Sequence, residues 1–127
     1  MSIGYKPPLD DAVVTDVSAV FAALGEPTRL RIVEQLRRGP LFVSELVEGM
    51  KAKQANVSKQ LGILHRAGLV GRERHGLQVR YFIAEPFVLQ LCDAVCAKID
   101  RDAQSMLDAL KRRRSIAPTN QRRKRRG

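Results

Sequence analysis

The sequence predicts a mainly α-helical fold with one small β-hairpin. Two observations predict it: apolar residues recur at helical spacing in five segments, and residues 78–83 alternate apolar and polar side chains just after a glycine turn. At 127 residues with 44% hydrophobic content, the chain can bury one modest core. We therefore expect a single domain that gains stability from a partner subunit.

Two helices are predicted before residue 40. Asp10 or Asp11 can cap the first, over residues 10–24. Its apolar stripe is Val13, Val17, Val20, Phe21 and Leu24. Gly25 ends it, and Pro27 suits the first turn of a second helix. The apolar face of this second helix is Leu30, Val33 and Leu36, and the dipeptide Gly39-Pro40 stops it.

A third and a fourth helix follow, separated by a short turn. Residues 43–50 predict a helix of about two turns, with Ser44 as its cap and an end near Gly49. The stretch from Lys51 to Val70 predicts the fourth helix, which Gly68 ends. At 100° per residue, its core-facing residues fall within about 60° of one another: Val57, Leu61 and Leu64. The opposite side is small and polar: Ala55, Asn56, Ser58, Lys59, Gly62 and Arg66.

A hairpin and a long last helix complete the predicted domain. The two strands join at His75-Gly76, because Val79, Tyr81 and Ile83 alternate with Gln78, Arg80 and Phe82. The hairpin is basic, with Arg72, Arg74, His75 and Arg80. From Pro86 onward a helix keeps one apolar stripe: Val88, Leu89, Cys92, Val95, Cys96, Ile99, Met106 and Leu110.

The third and fourth helices have the order that places a recognition helix in the major groove of DNA. Gln54 can pair with adenine, Ala55 can touch a thymine methyl, and Ser58 can bond several base edges. Lys59 reaches guanine or phosphate, Asn56 flanks this face, and Arg66 meets the DNA backbone. The basic hairpin is typical of a wing that contacts DNA through Arg74, His75, Gln78 and Arg80. A solvated helix face and a solvated hairpin stay open as alternatives at this point.

Four segments within residues 15–100 together resemble the arsenic-repressor (ArsR/SmtB) family of bacterial winged-helix regulators. They are FAALGEPTRLRIVEQL, VSELVEGM, QANVSKQLGILHRAGLV and HGLQVRYF. The resemblance implies a winged helix-turn-helix fold that dimerises through its N-terminal and C-terminal helices. It also implies a homodimer that represses transcription until an effector releases it from operator DNA.

The chain departs from the family pattern at three places. VSELVEGM contains neither Cys nor His, which excludes the thiolate site that metal sensors of the family carry in the third helix. Gln60 stands where the family often has His, which predicts a different base preference. Leu77 stands where Arg commonly follows the glycine of the wing, so the wing contacts fall to Arg74, Gln78 or Arg80.

Cys92 and Cys96 are the chain's two cysteines and lie four residues apart on the last helix. This spacing suits two thiolates that share one soft metal ion or metalloid such as arsenite, and two chains meeting at a two-fold axis would bring four thiols together. Oxidants or reactive sulfur species could instead link the thiols, more easily between chains than within one helix. Since both fall on the apolar stripe, simple packing is the third interpretation.

The distribution of charge and the lack of targeting signals limit where the protein is expected to be located and which partners it is expected to have. Residues 1–110 hold 14 Lys or Arg and 13 Asp or Glu, whereas residues 111–127 hold nine basic residues and no acid. We expect an N-terminal extension (1–9), a DNA-binding and dimerisation domain (10–110), and a disordered basic tail (111–127) that contacts DNA phosphates. With no secretion signal and no apolar run of about 18–20 residues, we expect a cytoplasmic protein that contacts no membrane.

These features predict a homodimeric repressor that binds double-stranded operator DNA, requires no cofactor, and is released by arsenite or another thiol-reactive effector at Cys92 and Cys96. A thiol-redox repressor that uses the same cysteines is one alternative. An architectural DNA-binding protein without an effector, dominated by the tail, is an alternative of another class. An enzyme is not predicted, since we find no nucleophile with a base partner, no phosphate-binding glycine loop and no closed metal site.

Overall fold

The computed structural model describes the backbone of residues 9–126 and the side chains of residues 9–115. The expected N-terminal extension lies outside the described residues, apart from Leu9. The helices are α1 (Asp11–Leu24), α2 (Pro27–Gln35), α3 (Val43–Met50), α4 (Gln54–Arg66) and α5 (Phe87–Arg126), and a short 3-10 turn (Leu36–Arg38) follows α2. The strands are β1 (Leu41–Phe42), β2 (Val70–His75) and β3 (Gln78–Ile83). The chain divides after Leu89 into two compact units.

The first unit has the predicted helical order and a small antiparallel sheet, which confirms the winged helix-turn-helix fold. Its core forms where α4 packs against α2 and α3. Val57, Leu61 and Leu64 on α4 are fully buried, as the 100° spacing predicts. The rest of this unit contributes further buried apolar side chains: Ile32, Val33, Leu36, Leu46, Leu69, Val70 and Val88.

The sheet has the strand order β1-β3-β2. The hairpin of β2 and β3 is confirmed, with Val70 opposite Ile83 at its base. Its turn is one residue later than predicted: His75 still belongs to β2 and lies opposite Gln78, so the turn residues are Gly76 and Leu77 and not His75 and Gly76. Gly76 adopts φ +64°, a left-handed conformation that glycine reaches without strain. β1 is an addition to the prediction: it pairs with β3 through two residues only, too few to show an alternating pattern in the sequence.

The first residues of α1, α2 and α3 test the predicted helix caps. The Asp10 carboxylate accepts a hydrogen bond from the amide of Val13 at 2.9 Å, so the predicted cap of α1 is confirmed. The predicted cap at Ser44 is wrong, because α3 already begins at Val43 and the Glu45 carboxylate accepts a bond from the amide of Phe42 at 2.8 Å. At α2, the Glu26 carboxylate accepts from the amide of Arg29.

The apolar face predicted for α2 also needs one correction. Leu30 is 42% exposed, whereas Ile32 is completely buried. Spacing alone selected Leu30 because it lies three residues before Val33. The neighbouring helices instead cover the side of α2 that carries Ile32 and Val33.

The second unit consists of the remainder of α5. The helix begins at Phe87, beside the predicted start at Pro86, and its backbone stays helical to Arg126. The sequence predicts disorder from residue 111, whereas the structure has a helical backbone over residues 111–126. Lys, Arg and Gln are good helix formers, which favours continuation of the helix despite the repulsion between like charges. No helix within the described residues is both long and apolar enough to cross a membrane.

Candidate DNA interface

The turn between α3 and α4 brings the two helices into the arrangement of a helix-turn-helix. Lys51 ends α3 in the left-handed conformation, with φ 52° and ψ 43°. The amide of Ala52 donates to the carbonyl of Val47 at 3.2 Å, which closes the turn. Lys53 then caps α4, whose first turn contains no acidic residue. The exposed amides and the positive end of the helix dipole therefore favour an anionic partner at this end of α4.

The residues predicted to read DNA are exposed on the N-terminal half of α4. They are Gln54, Ala55, Asn56, Ser58 and Lys59. Ala55 and Lys59 lie on the side of the helix opposite the buried stripe of Val57, Leu61 and Leu64, and Asn56 and Ser58 flank them. Gln54 is exposed because it is the first residue of α4. The structure brings these five residues together on one surface; that they contact bases stays a prediction.

Arg66 lies two turns further along α4 and is also exposed. A Cβ added to Gly62 would lie 3.3 Å from Nη1 of Arg66. The guanidinium therefore extends back along the helix over Gly62. This orientation keeps the positive charge of Arg66 on the exposed side of α4.

Gln60 is the one residue of α4 whose surroundings were not predicted from the helical spacing. It is the only buried polar side chain in the part of the chain that the structure describes, with 8% of its surface exposed. Its Oε1 accepts a hydrogen bond from Nη1 of Arg29 at 2.6 Å, and its Nε2 donates to Oδ1 of Asn56 at 3.1 Å. In this structure Gln60 lies in the core and not on the exposed face of α4, so any effect of Gln60 on base preference would act through its neighbours; that the base preference differs stays a prediction. The sequence did hold a signal, because Gln60 lies next to Leu61 and three residues after Val57 on the core-facing side.

One side of the wing is organised around the carboxylate of Glu73. Glu73 lies opposite Arg80 in the β2–β3 pairing, and its Oε1 accepts from Nη2 of Arg80 at 2.5 Å. Nε2 of His75 lies 3.1 Å from the same oxygen, and the ring of His75 meets the ring of Phe42 edge-on at 6.0 Å. The hydrogen bond from Arg80, followed by that from His75, holds the pKa of Glu73 below its ordinary value.

The other side of the wing carries Arg72, Val79 and the predicted contact residue Arg74, since successive strand residues point to opposite faces. Within residues 9–115, neither guanidinium group has a hydrogen-bond or ion-pair partner. Gln78 is exposed near the tip, beside Leu77. The four predicted wing residues therefore fall into two groups. The side chains of Arg80 and His75 are bound to Glu73, whereas those of Arg74 and Gln78 are exposed and can contact DNA.

Two lysines at the start of α4 were not among the predicted contact residues. Lys51 and Lys53 flank the turn that precedes Gln54, and both are exposed. Their side chains add positive charge where the helix dipole already favours anions. The pattern of two lysines immediately before the recognition helix was a readable signal for phosphate contacts.

The candidate effector site lies on α5. Cys92 is half-buried and Cys96 is exposed, and both are thiols. In the described part of the chain, no three His, Cys, Asp or Glu side chains come close enough to hold a metal ion. A three-thiolate site of the kind arsenite prefers would therefore need a ligand from a second chain.

Two helices expose apolar side chains in the single chain. On α1, Val13, Val17 and Phe21 are 39%, 40% and 57% exposed. On α5, Val95, Ile99, Met106, Leu107 and Leu110 are between 46% and 68% exposed. On each helix taken by itself, several large apolar side chains exposed to water are typical of a protein-protein interface.

The chain is similar to known transcriptional regulators. Residues 26–71 match the model of the bacterial regulatory protein arsR family. The HTH-type transcriptional regulator NmtR of Mycobacterium tuberculosis is 41% identical over 86 residues, which are 68% of this chain and 72% of that protein.

Two solved structures share the fold over most of the chain. The crystal structure of the antimony-specific transcriptional repressor AntR superposes with a TM-score of 0.70 at 28% identity, covering 80% of this chain and 93% of that one. A homodimeric winged helix-turn-helix DNA-binding domain from Mycobacterium bovis superposes with a TM-score of 0.66 at 27% identity, covering 76% and 93%.

Proposed function

Because the chain belongs to the ArsR family of bacterial transcriptional regulators, we propose that it is a homodimeric repressor that binds operator DNA through α4. The observation that carries this proposal is the exposed face of Gln54, Ala55, Asn56, Ser58 and Lys59. These side chains are short or unbranched, so the backbone of α4 can approach the base edges closely. Lys51, Lys53 and Arg66 add phosphate contacts on the same side, and Arg74 and Gln78 extend them from the wing.

The exposed apolar faces of α1 and α5 support a homodimer. Burial of side chains such as Phe21 and Val95 against a second copy removes apolar surface from water, which favours association. A two-fold dimer presents two α4 helices to two half-sites of the operator. We expect those half-sites about one helical turn, or roughly 10 base pairs, apart.

The signal that releases the operator acts, in this proposal, on Cys92 and Cys96. One helix presents the two thiols about 6 Å apart at the backbone, which suits shared coordination of arsenite or another soft metal or metalloid. The named specificity of the relative AntR for antimony supports metalloid chemistry for this chain. A binding event that biases the dimer by about 1–3 kcal/mol toward a geometry that cannot span both half-sites is enough for a useful switch.

Oxidation of the same thiols by oxidants or reactive sulfur species is the second candidate. The 57% exposure of Val95 and Ile99 next to Cys96 favours it, because a second copy on this face would place partner thiols within reach of Cys96. A disulfide between chains would lock the dimer in one geometry. No cofactor is required in either form of the proposal.

Fluorescence anisotropy on DNA from the protein's own promoter tests these proposals. Arsenite, monovalent copper and a polysulfide are titrated separately against the parent and a Cys92→Ser/Cys96→Ser variant. Release of the parent alone by one titrant assigns the sensor and its chemistry. If no titrant releases the parent, or if the variant responds as the parent does, the cysteines are packing residues and the effector proposal fails.

A further inference from the structure

Arg29, Gln60 and Asn56 form a chain of hydrogen bonds from α2 to the exposed face of α4. Nη1 of Arg29 donates to Oε1 of Gln60 at 2.6 Å, and Nε2 of Gln60 donates to Oδ1 of Asn56 at 3.1 Å. The chain begins in the interior, since Gln60 is 8% exposed. It ends at the surface, since Asn56 is exposed on the face proposed to meet DNA.

Arg29 is held in place independently of Gln60. Its Nε donates to the carbonyl of Ala23 at 2.6 Å, and its Nη2 donates to the carbonyl of Ala22 at 3.2 Å. Its own amide donates to the carboxylate of Glu26 at 3.0 Å. The guanidinium therefore presents Nη1 to Gln60 from a fixed position.

The chemistry of these groups leaves one arrangement of the Gln60 amide. A guanidinium has five donors and no acceptor, so the atom of Gln60 that faces Arg29 must be its oxygen. The NH₂ group of Gln60 must then face Asn56. Because an NH₂ group can only donate, the atom of Asn56 that faces it must again be the oxygen. The orientation of both amides thus follows from Arg29.

Asn56 is left with its NH₂ group as the outward group. Within the described residues, Nδ2 of Asn56 has no hydrogen-bond partner. We propose that Arg29 and Gln60 are positioning residues that fix Asn56 as a hydrogen-bond donor toward DNA, so that it selects a base that offers an acceptor. This inference rests on the proposed role of α4 in operator binding.

The expected base follows from the groups displayed in the major groove. Guanine offers the acceptors O6 and N7, thymine offers O4 and adenine offers N7, whereas cytosine offers only the N4 donor. A freely rotating asparagine pairs with adenine through both its oxygen and its nitrogen. The oxygen of Asn56 accepts from Gln60 and is held toward it, which disfavours the two-bond pairing with adenine. We therefore expect the position that Asn56 reads to exclude cytosine, with guanine and thymine accepting through O6, N7 or O4 and adenine accepting through N7 alone.

A Gln60→Glu substitution reverses the polarity without changing the size of the side chain. The new carboxylate still accepts from Arg29 but has no hydrogen to donate. For its second oxygen to keep a hydrogen bond with Asn56, the Asn56 amide must turn over and donate its NH₂ group. The oxygen of Asn56 then faces the DNA and accepts from cytosine N4 or adenine N6.

The test measures relative affinities on an operator library randomised at each half-site position. Asn56→Ala identifies the position that Asn56 reads, as the one where preference disappears. There the parent should favour guanine or thymine over cytosine by about tenfold, and Gln60→Glu should reverse that preference. Gln60→Met removes both polar atoms and keeps a side chain of similar length, so it should reduce the preference for guanine or thymine over cytosine. Unchanged guanine or thymine preference in Gln60→Glu overturns the inference, as does two-bond adenine recognition in the parent.

A second measurement examines the amides in the protein without DNA. The side-chain NH₂ protons of Gln60 should exchange with water about tenfold more slowly than those of the exposed Gln54, measured by NMR. Equal exchange would refute the hydrogen bond to Asn56. If the parent shows slow exchange but no sequence preference on any DNA, the proposed role of α4 fails. The base preference of Asn56 can then no longer be measured. If the parent is sequence-specific but Gln60→Glu changes nothing, only the orientation inference fails.

Discussion

A Cβ added to Gly71 would overlap Cζ of Phe82, which faces it across the β2–β3 pairing. Two more ring carbons of Phe82 lie at 2.5 and 3.1 Å from that position. The ring of Phe82 therefore occupies the space that any side chain at residue 71 would need. Glycine at this position is thus a requirement of the packing at the base of the wing.

Gly71→Ala should destabilise the protein by about 1–3 kcal/mol, because the ring or the strand must move to admit a methyl group. Thermal or urea unfolding measures the loss. Gly49→Ala in α3 is the matched control, since an added Cβ there meets only the flexible end of Gln35. Equal stability of Gly71→Ala and the parent would show that the ring of Phe82 can adopt another position without loss of packing.

Lys51 combines backbone strain with a charge beside the recognition helix. Its φ of 52° lies in the left-handed region, which costs a non-glycine residue about 1–2 kcal/mol. Lys51→Gly should therefore raise the free energy of unfolding by up to about 1 kcal/mol after the greater flexibility of glycine in the unfolded chain is subtracted. The same variant should bind operator more weakly, with a log–log salt slope reduced by about 0.9.

Lys51→Gln separates the two effects, because it removes the charge and keeps a side chain at the strained position. It should show the same reduction in salt slope as Lys51→Gly without any gain in stability. Salt titrations by anisotropy and parallel unfolding curves provide both readings. An unchanged salt slope in both variants would remove Lys51 from the DNA interface.

The pKa of Glu73 reports the ion pairs of the wing. It lies below the ordinary value of 4.5, chiefly because Arg80 donates a hydrogen bond to the carboxylate. A carboxyl group with a lowered pKa in the folded state stabilises the protein above its unfolded pKa, and this stabilisation disappears as the pH falls through the lowered value. NMR titration should place the midpoint of Glu73 below 4.5, and Arg80→Gln should raise it. If the titration midpoint of Glu73 is the same in the parent and in Arg80→Gln, the hydrogen bond between Glu73 and Arg80 is contradicted.

The basic end of α5 should contribute affinity without sequence preference. Replacement of Lys111, Arg112, Arg113 and Arg114 by Gln should reduce the salt slope by up to about 0.9 for each phosphate that is no longer neutralised, and leave the footprint on operator DNA in place. Lys98→Gln is a suitable control, since its ammonium is bound by Asp102. Disappearance of the discrete footprint would favour an architectural DNA-binding protein over a repressor.

Much of the fold could be predicted because its signals are local. The Asp10 cap, the apolar side of α4 and the turn at Gly76 each depend on residues a few positions apart. Contacts between distant residues could not be predicted in this way. β1 becomes visible only through its pairing with Tyr81 and Arg80, about 40 residues further along the chain.

The candidate site shows the same division. Exposure of Ser58 and Lys59 follows from helical spacing. Burial of Gln60 depends on Arg29, which is 31 residues away and provides the hydrogen bond that a polar side chain needs in the core. The pairing of Glu73 with Arg80 lies between these cases: the sequence predicts the hairpin, but a turn at His75-Gly76 would place Glu73 opposite Gln78, and the observed turn at Gly76-Leu77 places it opposite Arg80.

The most direct measurement is operator affinity after a negative charge is placed on the exposed face of α4. Ala55→Glu adds that charge at an exposed position without disturbing the core, and Ala84→Glu adds the same charge at an exposed position after β3. By anisotropy on promoter DNA, Ala55→Glu should weaken binding by about a hundredfold, and Ala84→Glu by no more than about twofold. If Ala55→Glu binds as tightly as Ala84→Glu, α4 is not the surface that reads the operator.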